Sequence, residues 1–306
     1  MIRRPVRLLA AAGAALALAL AGCASEDPTA GSGGEAGTVR VGSANFPESE
    51  IVAETYAQAL EAQGVTVQRQ MQIGARDIYI AALQDGSIDL VPEYTGNLLQ
   101  YLDPETTAVT PEEVNAALVE ASPDGFSTLT PAPAEDKDSY NVTREFSEAN
   151  GITSLADLAG YSGQLRIGGN PELAERPYGP KGLTAVYGVP AERMTFVAIS
   201  DSGGPLTVKA LVDGEVELAD IYSTTPAITA NDFVTLADPK NMIMAQNVVP
   251  MISDAVATDE VRQTLDAVSA ALTTEDLLAM NARSQGDEKA SPATIAADWL
   301  AQNDLA

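Results

Sequence analysis

The stretch from Ala82 to Asn97 has an echo later in the chain, and this echo restricts the fold more than any other feature. Leu83, Asp85, Gly86, Ile88, Leu90 and Tyr94 return in the same order and spacing as Leu211, Asp213, Gly214, Val216, Leu218 and Tyr222. Each copy reads as a helix stopped by a glycine that can take positive φ, then a strand of four or five residues, then a tyrosine where that strand ends. In open α/β sheets ligands sit beyond the carboxyl ends of strands. Two such units, one in each of two lobes, aim Tyr94 and Tyr222 at a shared cleft.

The flanking sequence extends both copies in the same way. The pattern predicts strands over Thr38 to Gly42, Val65 to Ile73 and Ile88 to Val91, with helices between them from Ile51 to the stop at Gly64 and from Gly74 into Leu83. A second set follows, with strands over Leu165 to Gly168, Thr195 to Ile199 and Val216 to Ala219 and helices over Lys181 to Tyr187 and Leu206 to Val212. Alternation of this kind implies parallel strands joined by right-handed crossovers. The acidic run Ala134 to Ser139 reads as a crossing between lobes, and Val248 to Ile252 as the return. Residues 38–137 with 248–306 are therefore expected to form lobe I, and 138–247 lobe II. Helices over 259–271, 274–283 and 291–302 complete lobe I, with Trp299 in its core.

The N-terminus carries Arg3, Arg4 and Arg7, then an apolar run from Leu8 to Ala21, then Leu20-Ala21-Gly22-Cys23. This is the pattern of a secretory signal, residues 1–22, ending in a lipobox. Cys23, the only cysteine, is the expected site of lipid attachment, and residues 23–37, rich in Gly, Ser and Ala, are an expected flexible tether. The protein is expected at the outer face of the cell membrane. Its net charge is −26, and loss of the three leader arginines takes it to −29, which argues against nucleic acid and anionic lipid heads as partners. The chain has no histidine, so histidine-based zinc sites, Ser-His-Asp triads and Cys-His dyads are excluded. No Asp-x-Asp-x-Asp-Gly calcium loop is found, and neither metal nor cofactor is expected.

At Val91-Pro92-Glu93-Tyr94-Thr95-Gly96-Asn97 the sequence resembles the quaternary-ammonium-binding family, the substrate-binding proteins of osmoprotectant ABC importers for glycine betaine, choline and carnitine. Asn45-Phe46-Pro47-Glu48-Ser49 and Asp220-Ile221-Tyr222-Ser223-Thr224 are similar to two further family segments. The resemblance implies a type II periplasmic-binding-protein fold, two α/β lobes with a ligand cleft between them, acting as a monomer with permease subunits as partners. It implies a cage in which Tyr94, Tyr140 and Tyr222 surround a trimethylammonium group. The family's fourth cage position falls on Gln246, and Ala44 stands where betaine binders carry a polar residue. Asp138, Asn97, Asn45, Arg176 and Thr224 complete the ligand-binding set that the resemblance implies.

The chemistry is consistent with that implication. A quaternary ammonium cannot donate a hydrogen bond, so it is selected by shape, negative charge and the negative faces of aromatic rings, each worth about 0.5–2 kcal/mol when desolvated. The competing class is a lyase or dehydratase on the same two-lobed fold, with Glu93 and Asp138 as acid and base. No paired-acid motif stands out among 43 acidic residues in its favour.

Overall fold

The computed structural model describes residues 37–306 except Ser202, and these form one compact unit. The expected signal, Cys23 and, apart from Gly37, the tether lie outside the described residues. Among the described residues no helix is long and apolar enough to cross a membrane. The strands are β1 (Thr38–Gly42), β2 (Thr66–Gln70), β3 (Leu90–Tyr94), β4 (Phe126–Thr128), β5 (Tyr140–Thr143), β6 (Leu165–Gly169), β7 (Met194–Ala198), β8 (Leu218–Asp220), β9 (Phe233–Thr235) and β10 (Val248–Ser253). They make two sheets, ordered β2-β1-β3-β10-β4 and β7-β6-β8-β5-β9. In the first, β1 is parallel to β2 and β3, while β10 is antiparallel to β3 and β4. In the second, β6 is parallel to β7 and β8, while β5 is antiparallel to β8 and β9. One order maps onto the other strand for strand.

The repeated units carry the correspondence into side chains. Arg40 on β1 donates from Nε to Asp89 Oδ2 at 2.8 Å and from Nη2 to Oδ1 at 2.7 Å, and its Nη1 reaches the Gly86 carbonyl. Arg166 on β6 clasps Glu217 in the same way and donates to the Gly214 carbonyl at 2.8 Å. Gly86 (φ 75) and Gly214 (φ 67) both occupy the left-handed region that closes a helix. The backbone N–H groups of Ser87 and Ile88 then return to the Ala82 carbonyl, so these residues belong to the helix end. The strands consequently begin two residues later than the sequence pattern suggests, at Leu90 and Leu218. β2 is also shorter than expected, because among the described residues it pairs only with the five-residue β1, and Gln72 turns away at φ 55.

Helix Pro47–Ala62 packs on the first sheet together with Asp259–Ala271, Thr274–Gln285 and Pro292–Gln302, burying Ile51, Tyr56, Leu60, Leu265 and Trp299 in one core. A separate core beneath the second sheet holds Tyr140, Leu155, Ile167, Leu183 and Leu218. Periodicity missed the short helix Arg144–Asn150, which Thr143 caps by accepting from the Phe146 N–H at 3.1 Å and which Gly151 (φ 65) ends. Two connections join the sheets side by side. The Asp136 N–H donates to the Gln246 carbonyl at 3.1 Å, and that of Val248 to Ala134 at 3.0 Å.

Candidate functional site

Between the two sheets lies a cavity of about 830 Å³. Its first side comes from the start of helix Arg76–Gln84 (Arg76 and Asp77) and from helix Thr95–Leu102 (Asn97, Gln100 and Tyr101). Its second side comes from Asp138 before β5, the turn Asn170–Leu173, Arg176, Tyr178, Asp220 at the end of β8, and Tyr222.

The second side is organised by the β5–β8 register. Antiparallel pairing sets Tyr140 opposite Asp220, and the Ile221 N–H donates to the Ser139 carbonyl at 3.0 Å. That register brings Asp138 and Asp220 together from distant parts of the sequence, with their carboxyl groups in hydrogen-bonding reach of each other. Both are buried, at 8 % and 4 % exposure. Tyr178 donates its hydroxyl to Asp138 Oδ2 at 2.9 Å, and Tyr140 donates to the Tyr178 carbonyl at 2.8 Å. Asp220 Oδ1 is buried without a hydrogen-bond partner. Burial pushes both carboxyls up from the ordinary carboxylate range, and for Asp220 the neighbouring Asp138 adds to the rise. Burial and the nearby Asp138 likewise hold the Tyr222 phenol neutral. Gly203 (φ 69) lies against the Asp220–Tyr222 backbone, where a Cβ would come within 3.1 Å of the Ile221 Cα.

On the first side the buried carboxyls Glu93 and Glu48 are already paired. Glu93, fully buried, receives Arg76 in a two-pronged bond, Nε to Oε1 at 2.8 Å and Nη2 to Oε2 at 2.9 Å, and also accepts from the Tyr79 hydroxyl at 2.8 Å. Tyr94 donates to Glu48 Oε1 at 2.6 Å. The other oxygen of Glu48 accepts from the Thr224 hydroxyl at 2.6 Å and from Asn281 Nδ2 at 2.5 Å, so one buried carboxyl joins β3, the segment after β8 and helix Thr274–Gln285. Thr224 also sends its N–H to Asp136 Oδ1 at 3.1 Å, and burial, followed by the charge of Glu48, raises the Asp136 carboxyl well above its usual range.

Of the residues singled out in the sequence, Tyr222, Asp138, Asn97 and Arg176 meet at this cavity. Tyr94 and Tyr140 are buried at 7 % and 1 % exposure, behind the residues that line it. Gln246 is buried, and its Oε1 accepts from the Asn97 N–H at 2.9 Å, satisfying a free donor in the first turn of helix Thr95–Leu102. Thr224 serves the Glu48 network, and Asn45 is exposed in the turn after β1. Sequence reasoning did not single out Tyr178, Asp220 and Arg76. The Pro177-Tyr178 pair next to Arg176 is a signal that could have found Tyr178, and Asp220 stands inside the Asp-Ile-Tyr-Ser-Thr segment already noted. Among the described residues no cluster of acidic side chains is disposed to hold a metal ion.

The profile of the family described as "Substrate binding domain of ABC-type glycine betaine transport system" matches residues 37–302. Over 280 residues the chain is 28 % identical to the glycine betaine-binding protein YehZ of Escherichia coli (strain K12), covering 87 % of this chain and 91 % of that protein. The solved structure of apo YehZ aligns with a TM-score of 0.70 at 26 % identity, covering 89 % of this chain and all of that one. A structure titled glycine betaine/carnitine/choline ABC transporter has the same fold, with a TM-score of 0.76 at 20 % identity over 87 % of this chain and 99 % of that one.

Proposed function

Since the chain belongs to the family of substrate-binding domains of ABC-type glycine betaine transport systems, we propose that it captures a quaternary ammonium solute of the betaine or choline class in the cavity between its sheets and delivers it to permease subunits. The observation that carries this reading is the second wall of the cavity, where the rings of Tyr178 and Tyr222 stand beside Asp138 and Asp220. A cation without N–H groups needs this combination of aromatic faces and negative charge. Two rings supply about 1–4 kcal/mol, and micromolar capture takes about 8, so the carboxyls and water release contribute the remainder. Arg176 on the same wall suits the carboxylate of a zwitterionic betaine.

The aromatic cage is thereby divided between layers. Tyr222 and Tyr178 face the solute, Tyr140 orients Tyr178 through its carbonyl, and Tyr94 can reach the solute only by leaving Glu48. The lobes, 38–137 with 248–306 and 138–247, close on the solute about the paired connections, and the protein works outside the cytoplasm as a monomer held to the membrane by lipid on Cys23. Thermal melting with glycine betaine, choline and carnitine, beside the uncharged choline isostere 3,3-dimethyl-1-butanol, tests the binding. The charged compounds raise the melting temperature and the isostere does not. A flat response to every quaternary amine overturns the reading, and consumption of any of them favours a carboxylate-dependent lyase.

A further inference from the structure

We propose that Asp138 and Asp220 hold one proton between them in the empty cleft, and that a quaternary ammonium ligand displaces it, so that capture is coupled to proton release. This rests on the cation-binding reading of the cavity and adds to it the exchange that makes room for the charge.

The two carboxyls are buried, line the cavity and stand within hydrogen-bonding reach of each other. Two carboxylates so placed cannot both ionise cheaply, and one retains a proton. Their surroundings offer little relief. Tyr178 donates one hydroxyl, to Asp138 Oδ2, whereas Asp220, which also lines the cavity, has a buried Oδ1 without a hydrogen-bond partner. Asp136, half-buried on the connection just before Asp138, adds a third acidic group, itself facing Glu48. Tyr140 and Tyr222 are phenols held neutral by burial. Arg176 is the cation on this wall; its charge acts on Asp138 against the rise that burial causes, but among the described residues it forms no salt bridge. Glu172 on the same wall brings further acid, and across the cavity Arg76 is committed to Glu93 while Asp77 adds another carboxyl.

A trimethylammonium group compensates negative charge without donating a hydrogen bond, so it substitutes for the shared proton electrostatically. The pair passes from one negative charge to two while the ligand adds one positive charge. The net charge of the site is unchanged, and one proton leaves to solvent. The coupling has a definite sign: wherever the empty pair holds its proton, affinity rises with pH, by at most about tenfold per unit for one proton.

The test is titration calorimetry of the protein with choline and with glycine betaine at about pH 5.5 and pH 7.5, a span over which one coupled proton can change affinity by up to about a hundredfold. Each pH is run in two buffers of different ionisation enthalpy. Tighter binding at the higher pH and a buffer-dependent heat equivalent to release of up to one proton are expected. Asp220→Asn removes one titrating group while keeping the shape, and should flatten the pH dependence and abolish the buffer dependence. Equal affinities at both pH values with equal heats in both buffers overturn the exchange, as does a proton release that persists in Asp220→Asn. Absence of binding at any pH overturns the cation-binding reading itself, and the exchange with it.

Discussion

In the first sheet the tyrosine that closes the repeated unit is pinned, because Tyr94 gives its hydroxyl to Glu48 and its ring to the core around Val39, Leu90 and Val248. In the second sheet its counterpart, Tyr222, is half-buried and lines the cavity beside Asp138, Asp220 and Tyr178. The frames beneath them are alike, with strand orders that map one to one and an arginine clasp on β1 and on its counterpart β6. The contrast therefore lies in what each strand end faces. On the first side the acids, Glu48 and Glu93, are satisfied by Tyr94, Thr224, Asn281, Arg76 and Tyr79, which makes a rigid wall. On the second side acid is left under-satisfied at Asp220, which makes a wall that gains from a cation. One architecture used twice yields one structural half and one chemical half.

The sharpest way to break this comparison is to make the same change on both sides. Tyr94→Leu removes a buried ring and one of the three donors to Glu48, and a loss of about 3 kcal/mol in stability is expected. Tyr222→Leu should leave stability nearly unchanged and instead weaken choline binding by about 1–2 kcal/mol, roughly fivefold to thirtyfold. Urea denaturation and calorimetry on both variants separate the two effects. If Tyr94→Leu lowered affinity more than stability, the pinned role would be wrong and Tyr94 would act in the cage.

The clasps sharpen the comparison at a smaller scale. The Arg40–Asp89 pair is the better buried, at 17 % and 5 % side-chain exposure, against 44 % and 19 % for Arg166–Glu217. Arg40→Met strands Asp89 in a nearly closed site and should cost about 2 kcal/mol, between the values for fully buried and surface pairs. Arg166→Met should cost a fraction of that, because solvent takes over from the lost partner. Equal losses in denaturant midpoint would show that the two frames are energetically alike despite their different burial.

The frame was legible in the sequence and the walls were not, for a physical reason. Helix stops at Gly86 and Gly214 and the apolar spacing around Leu90 and Leu218 are local signals, and they suffice to read two α/β halves. The pairing of Asp138 with Asp220 depends on the β5–β8 register, which no local pattern reports. The partners of Tyr94 and Gln246 are equally remote: Glu48 lies far back along the chain, and the Asn97 N–H faces Gln246 only when helix Thr95–Leu102 docks. Gln246 therefore reads as a missing cage wall from the family resemblance alone, whereas its oxygen is occupied with a helix end.

The smallest effect concerns the charge left in the second wall when the cleft is empty. Asp136, Asp138 and Asp220 all have carboxyls raised above the ordinary value by burial, so in each case the folded state favours the protonated form. The stability they contribute is fully present below the unfolded aspartate value, near about 3.9, and is lost as pH climbs through the raised folded values. The ligand-free protein should accordingly melt at a higher temperature near about pH 5 than near about pH 8, opposite to a protein whose acids are stabilised by salt bridges. Asp220→Asn removes one of the crowded charges without changing the shape of the side chain, and at the higher pH it should raise the melting temperature by about 2–4 °C, equivalent to roughly 1 kcal/mol. On the first side Glu93→Gln makes the same chemical change but should do the reverse, lowering the melting temperature, because Arg76 loses the partner that neutralises it. If Asp220→Asn were as damaging as Glu93→Gln, the acids of the second wall would be structural like those of the first, and the division of labour between the halves would fail.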